Sequence, residues 1–592
     1  MTIILSTLNA KFIHTNIAIR YLKASALPEF DVTLAEYTIK DPIYNIVADL
    51  YLKKPDVLGF SCYIWNIEET IEVIRMMKTV NPDTVIVVGG PEVTYDAYDL
   101  LKRVPEIDYI VIGEGEQSFK ELLKALDGRQ EIAAVPGIAW LKDNKFTVHP
   151  PAAKADLREL PSPFRFPEDI QNLPRRITYI ETSRGCPFSC QFCLSSIEVG
   201  VRYFNRERIK EDIRYLMNNG AKIIKFVDRT FNISRSYAME MFQFLIDEHR
   251  PGVVFQFEIT ADIMRPEVIQ FLNDNAPAGL FRFEIGVQST NDLTNELVKR
   301  RQNFEKLKRT VTMVKEGGKI DQHLDLIAGL PEEDYDSFRT TFNDVFAMRP
   351  EELQLGFLKL LRGTGLRVQA KEYGYTYMDR APYEIFSNNV LTFDEILQIK
   401  QAEDVLEKYW NAHRMDRTIE YLVSIYPSPF DFFQSFGTYW EERGWSRIGH
   451  QPEDLFRRLE AFLIEDGIAN LGIVRDLLKL DYLLIQNGKP RKPWWPKDME
   501  ETERTGLYRE IGSRPEIAGS LLDGMSEREM IKHTLLIPFG FDSQTGNPAE
   551  YSSGPGYLLA LFRQGQSPSM KFIQKEQISS NHPVSRIVRN LE

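Results

Sequence analysis

Short apolar, β-branched runs alternate along the first part of the chain with segments whose apolar positions recur every three to four residues. The runs lie at 2–7, 31–37, 57–62, 84–89 and 108–113, and the helical patterns at 16–26, 43–53, 68–80, 95–103 and 116–126. A strand followed each time by a helix predicts a doubly wound parallel sheet, because parallel neighbours need a crossover long enough to hold a helix. Ligands of such sheets bind beyond the carboxyl ends of the strands.

A proline-rich stretch follows, with Pro150, Pro151, Pro161, Pro163 and Pro167, and then a second alternation begins. Its strand patterns lie at 179–183, 223–228, 254–260, 281–287, 322–327 and 353–359, separated by helical patterns such as 207–218 and 236–248. Six β/α units predict an open or partial (β/α)6 barrel, with its active site at the carboxyl strand ends. Beyond Arg380 helical patterns dominate, as at 393–413 and 453–464. Trp410, Trp440, Trp445, Trp494 and Trp495 gather there, as an aromatic core of a mainly helical domain requires. The predicted class is α/β, in four stretches: a sheet domain at 1–135, a connector at 136–175, a barrel at 176–380 and a C-terminal domain at 381–592.

Composition narrows the classes. With 43% apolar and 27% charged residues, the 592-residue chain can fill several cores but not a membrane bundle. Lys plus Arg number 72 against 85 Asp plus Glu, a net charge of −13 that repels nucleic acid and anionic lipid in general. The first residues lack a basic segment ahead of an apolar one, so the expected location is the cytoplasm.

Cysteine use is the most informative feature. Of the four, Cys186, Cys190 and Cys193 fall within eight residues, and only Cys62 stands apart. Three thiolates on one short loop can hold three corners of a [4Fe–4S] cube and leave the fourth iron open to a ligand. A structural zinc site is ordinarily closed by four ligands, and no second Cys pair or His pair lies nearby. A second all-cysteine cluster is excluded by count.

The spacing Cys-x3-Cys-x2-Cys, with Phe192 before the last cysteine, resembles the signature of the radical S-adenosylmethionine (SAM) superfamily. The resemblance covers about 176–365 and implies that SAM chelates the open iron and is cleaved by one electron to methionine and a 5′-deoxyadenosyl radical. It further implies an external one-electron donor such as flavodoxin or ferredoxin. Polar residues sit at the strand ends where such a barrel would need them: Asp228, Arg229, Glu258, Glu284, Gln288, His323 and Asp325. Of these, Asp228, Glu258, Glu284 and Gln288 are candidate cofactor contacts, with Phe192.

The sheet domain carries Gly89-Gly90-Pro91-Glu92 and Gly113-Glu114-Gly115-Glu116 after two of its strands. Together with the barrel it resembles the cobalamin-binding branch of that superfamily. The resemblance implies a corrin at these loops and at Ser61, Tyr63, Trp65 and Asn66. The Asp-x-His-x-x-Gly motif that presents a cobalt ligand in many cobalamin proteins is missing. His14 occupies the first strand-end loop, where cobalt ligand, other cofactor contact and loop role all stay open. Cys62 reads first as a buried structural thiol. Cobalamin beside one cluster suits methyl transfer to an unactivated carbon of a small molecule, with a specific RNA or peptide substrate left open. The alternatives are a cobalamin-assisted rearrangement or cyclisation and a non-catalytic cofactor sensor. The C-terminal domain is expected to set substrate specificity or act as a lid.

Overall fold

β1 (Ile3–Asn9) is buried at all seven residues, as a strand covered on both faces must be. It pairs in parallel with β2 (Val32–Thr38) and β3 (Val57–Ser61), and β4 (Val85–Gly89) and β5 (Tyr109–Val111) extend the sheet in the same sense. The order β2-β1-β3-β4-β5 changes direction between β1 and β3, so a crevice opens at their carboxyl ends. Apolar clusters around Leu58, Ile74 and Ile86 on one face, and Leu5, Ile19 and Leu122 on the other, cover the sheet.

The computed structural model describes residues 1–197, 200–542 and 552–579. The chain forms two units, Met1–Ile396 and Leu397–Glu592.

Two strands absent from the predicted five complete the first sheet. β6 (Ile138–Lys142) and β7 (Lys145–Val148) form a hairpin that adds antiparallel to β5. Its turn holds Asp143 and Asn144 at φ 52° and 58°, a left-handed conformation that these two residue types tolerate and tight hairpins require.

The second sheet contains β8 (Ile177–Ile180), β11 (Ile223–Phe226), β12 (Val254–Ile259), β13 (Phe281–Gln288), β14 (Asp321–Ala328) and β15 (Glu352–Phe357), all parallel and in chain order. β8 and β15 are the two edges, so the barrel is open. Between β8 and β11 a small antiparallel pair, β9 (Ser183–Arg184) and β10 (Arg202–Tyr203), flanks the cysteine loop. Burial alternates strictly along β13. Phe281 and Phe283 face the helices and pack with Phe242, 5.5 Å and 6.1 Å between ring centres, while Glu284 and Gln288 line a cavity on the other face. The barrel interior is therefore polar and its outer layer aromatic.

Sheet and barrel are joined within the first unit by buried ion pairs. Glu36 of β2 accepts from Arg20 at 2.9 Å and from Arg176, just before β8, at 2.6 Å; Arg20 also donates to Asp169 of the connector at 2.6 Å. Burial alone would raise the Glu36 pKa, but the two guanidinium groups hold it down to about 2.

In the second unit, the helices Pro429–Glu442, Pro452–Glu465 and Leu471–Leu484 enclose an aromatic core. Trp440 lies 5.8 Å from Phe436 and 5.4 Å from Trp445, as the tryptophan-rich composition suggests. A three-stranded antiparallel sheet, Thr534–Asp542, Ser552–Leu561 and Ser569–Gln574, accompanies them. Its first strand reads Leu-Leu-Ile-Pro-Phe, a continuous apolar run with Pro538 inside and no period of two, so the alternation that betrays a strand is missing.

Candidate functional site

The cysteine loop begins at Gly185, whose φ of 95° is left-handed and whose missing Cβ would lie 2.0 Å from the carbonyl oxygen of Gly200. Only glycine lets the two ends of the loop come this close. Ser196 closes the triplet by donating to the carbonyls of Cys190 and Cys193 at 2.8 Å and 2.6 Å. Cys186 and Cys190 are buried and Cys193 is half-buried, all as free thiols. Among the described residues, no three His, Cys, Asp or Glu side chains converge on one metal ion. A cubane needs no such convergence, since each thiolate binds its own iron.

The three cysteines and Phe192 line a cavity of about 300 Å³ with Glu258, Glu284, Gln288, Arg300 and Asp325. Gln288 is its most constrained member. It sits at a bulge at the end of β13 with φ 70°, and its buried Oε1 has no hydrogen-bond partner among the described residues. Non-glycine residues held left-handed and buried acceptors left unpaired are both costly, so this oxygen fits a ligand donor, as a SAM ammonium or ribose hydroxyl would supply. Glu284 is already engaged, bidentate to Lys225 at 2.7 Å to each oxygen.

Asp228 lines neither cavity. It is buried and accepts from the Thr182 amide at 3.0 Å, the Thr182 hydroxyl at 2.6 Å and the Ser183 hydroxyl at 2.5 Å. Burial pushes its carboxyl up to about 6 against these donors. Its observed role is to fix the chain that leads into the cysteine loop.

A larger cavity, about 720 Å³, lies where the carboxyl edge of the first sheet faces the barrel mouth. Its sheet side is formed by Gly59, Gly89, Gly90, Gly113 and Gly115 with Ser61, Tyr63 and Trp65. A wall of bare backbone admits a broad flat ligand closely, and this chemistry fits a corrin. Gly90, at φ 113°, would place a Cβ 2.5 Å from the carbonyl oxygen of Cys62, so the loop cannot take another residue unchanged. Tyr63 and Trp65 stack at 4.4 Å and 6°. Asn66 lies beneath, fully buried, receiving the Tyr63 amide at 2.8 Å and donating to Leu8 and Ser61 carbonyls. Cys62 is buried, as its sequence context suggests.

Several acidic residues of the sheet loops bridge to other parts of the first unit. Glu116 accepts from Arg184 at 2.7 Å, Glu114 pairs with Arg202, and Arg184 also reaches Glu181 at 2.9 Å. Pro91 and Glu92 open the short helix Pro91–Thr94 and do not line the cavity; Glu92 accepts from Arg362 at 3.2 Å and from the Tyr383 hydroxyl. His14 lines the cavity and spends Nδ1 on the Tyr179 hydroxyl at 2.7 Å. Burial, with Lys11 and Lys225 nearby, lowers its pKa.

The residues that sequence reasoning missed are Arg184, Arg202, Arg300, Lys225 and Tyr179. Only Arg184, two places before Cys186, had a local signal. Arg229 and Glu258 line both cavities, and neither side chain makes a hydrogen bond or ion pair among the described residues. Burial pushes the Glu258 carboxyl up, while Arg229 and Lys225 oppose that shift.

A doubly wound sheet with a glycine-walled crevice, set on an open barrel with a three-cysteine loop, defines a two-cofactor α/β protein. Comparison with known proteins agrees: residues 4–123 match the B12 binding domain family, 180–345 the Radical SAM superfamily, and 371–559 a family described as "Protein of unknown function (DUF4080)". The chain thus carries a B12 binding domain and a Radical SAM domain, with a DUF4080 domain at its C-terminal side. It is 30% identical over 235 residues to the uncharacterized methyltransferase PH0819 of Pyrococcus horikoshii, covering 38% of this chain and 51% of that one. It is also 30% identical over 215 residues to the cobalamin-dependent radical SAM methyltransferase TokK of Streptomyces tokunonensis, covering 34% and 31%. These matches span about half the length of the first relative and a third of the second. The fold resembles that of the cobalamin-dependent SAM radical enzyme OxsB, with TM-score 0.54, 15% identity, and 81% and 84% of the two chains covered.

Proposed function

We propose that the chain is an enzyme that transfers a methyl group to an unactivated carbon of a small molecule, using a [4Fe–4S] cluster, SAM and cobalamin. One observation carries this reading: the two cavities meet at Arg229 and Glu258, so one substrate can touch the occupants of both. In this reading Cys186, Cys190 and Cys193 hold the cluster, Gln288 and Arg300 face SAM, and the glycine wall with Tyr63 and Trp65 receives the corrin. Cluster and SAM together supply hydrogen abstraction from carbon, and cobalamin supplies the methyl group.

The chain's own residues supply position and polarity. Gln288 Oε1 accepts a hydrogen bond from SAM, and Asp228 holds the loop on which the cluster rests. Glu114 and Glu116, through Arg202 and Arg184, keep the corrin loop at a fixed distance from the cysteines. Arg229 and Glu258 offer a donor and an acceptor to the substrate between them. Paired charges fill the rest of the barrel, as Lys225 does with Glu284 and Arg282 with Glu352 at 2.6 Å, so the junction is where polar side chains stay available. No helix among the described residues is long and apolar enough to cross a membrane. An external flavodoxin- or ferredoxin-like donor and a cytoplasmic location complete the reading.

Product analysis tests it. The reconstituted protein is incubated without oxygen with SAM, hydroxocobalamin, a reductant and small-molecule extract from cells lacking the chain. 5′-Deoxyadenosine together with S-adenosylhomocysteine supports methylation; deoxyadenosine alone points to rearrangement, and neither points to a sensor.

A further inference from the structure

The second unit holds a cavity that belongs to none of the chemistry above. Its volume is about 780 Å³, and its lining includes Lys489, Arg491, Lys492, Lys497, Arg504 and Lys532. Six cations around one space oppose the trend of a chain whose net charge is −13. One acidic residue, Asp498, shares the lining, and it is taken up by Lys479 at 2.8 Å. Arg504 pairs with Glu501 at 2.6 Å, and Lys489 donates to the Ile531 carbonyl at 2.6 Å. The side chains of Arg491, Lys492 and Lys532 make no hydrogen bond or ion pair among the described residues. Burial first, and then the neighbouring Arg504, lower the Lys489 pKa, while Glu501 opposes them.

The cations are also held on a stiff support. Lys489 to Lys497 reads Lys-Pro-Arg-Lys-Pro-Trp-Trp-Pro-Lys, and each proline fixes its own φ. Trp494 and Trp495 are buried and anchor the segment, Trp494 stacked 5.9 Å from Phe456 and Trp495 edge-on 5.6 Å from Tyr482. The lining also includes the apolar start of the strand Thr534–Asp542, with Leu535, Leu536 and Ile537. Glu501 offsets the field of these cations only in part, through Arg504 and at longer range Lys489 and Lys497, and the backbone that carries the cations is set in advance.

We propose that this cavity is a binding site for an organic di- or triphosphate. A single phosphate needs neither six cations nor this volume, which lies in the range of small-molecule sites, about 300–1,000 Å³. The cations line one cavity, and the acidic remainder of the chain repels an extended polyanion, which disfavours nucleic acid. The apolar strand in the same lining suits the organic part of the ester.

The test is calorimetric titration of the full-length protein with inorganic pyrophosphate. Sulfate at matched ionic strength and a mixed-sequence RNA oligonucleotide serve as the other arms. The expected result is saturable pyrophosphate binding that sulfate does not reproduce. It should weaken at least tenfold in the double variant R491Q/K492Q and also in K532Q, which alters a different element. Iron and cobalamin loading stay at the level of the unaltered protein in both. Absence of saturable binding at millimolar pyrophosphate, equal affinity in both variants, or RNA binding that pyrophosphate fails to displace would overturn the proposal.

Discussion

Arg184 donates to Glu116 across 2.7 Å, joining the residue two places before the first cysteine of the triplet to the start of the helix Gly115–Leu126 that follows β5. Both side chains are largely buried, at 16% and 7% exposure, so the pair is a fixed strut between the two halves of the site and more than a surface contact. The same guanidinium reaches Glu181, which makes Arg184 the shared centre of three carboxylates when Glu114 is counted at 3.7 Å.

Removing one partner of a buried pair leaves the other uncompensated, at a cost of about 3–5 kcal/mol. Arg184→Ala is therefore expected to lower the melting temperature and to lose iron on gel filtration. Glu116→Gln should do so less, because Glu181 still serves the guanidinium. Unchanged iron content and melting temperature in Arg184→Ala would show that the strut is not needed.

Anaerobic reconstitution is expected to give about four irons per chain, from the stoichiometry of one cube. Changing Cys186, Cys190 and Cys193 to Ala together should leave none. Zinc in the unaltered protein, or a cluster spectrum that survives the triple change, would contradict the assignment.

Gln288→Ala should weaken SAM binding to the reconstituted protein by about ten- to a hundredfold, the worth of one hydrogen bond to a charged group, about 1.5–3 kcal/mol. Iron and cobalamin loading should not move. An unaltered SAM affinity would mean that the orphan oxygen faces something else.

Much of this architecture was legible because it is local. Strand runs such as 57–62 and 84–89 are bounded by helical periodicity, and the cysteine spacing is complete within eight residues. The partners of the loop acids were not legible, since Glu116 finds Arg184 across 68 positions and Glu92 finds Tyr383 across 291. Nothing in a Gly-Glu-Gly-Glu run tells a cofactor contact from a strut. Asp228 was misplaced for a related reason. It lies two residues past the end of β11, where the alternation that sorts inward from outward side chains no longer holds. The hairpin β6–β7 carried its signal in Asp143 and Asn144, but the prolines downstream drew the whole segment into a connector.

Stability should depend on pH through Glu36. Its folded pKa, about 2, lies below its ordinary 4.5, so between these values the unfolded chain binds more protons than the folded one. The stabilisation is fully present above about pH 5 and is lost as pH falls through 4.5 toward 2. Glu36→Gln removes it, so the stability gap between unaltered protein and variant, measured by urea unfolding, should be constant above pH 5 and shrink on acidification. A gap that widens toward acid would contradict the ion-pair account.

The central claim is that one substrate meets both cofactors at the junction marked by Arg229 and Glu258. The most direct measurement is isotope tracing in cells that lack the chain and receive either the unaltered gene or the triple cysteine variant, all fed methyl-deuterated methionine. The account predicts a small molecule, found only with the unaltered protein, that has gained one methyl group bearing three deuterium atoms on carbon. A product that forms without deuterium, or no difference between the two cell lines, would contradict it.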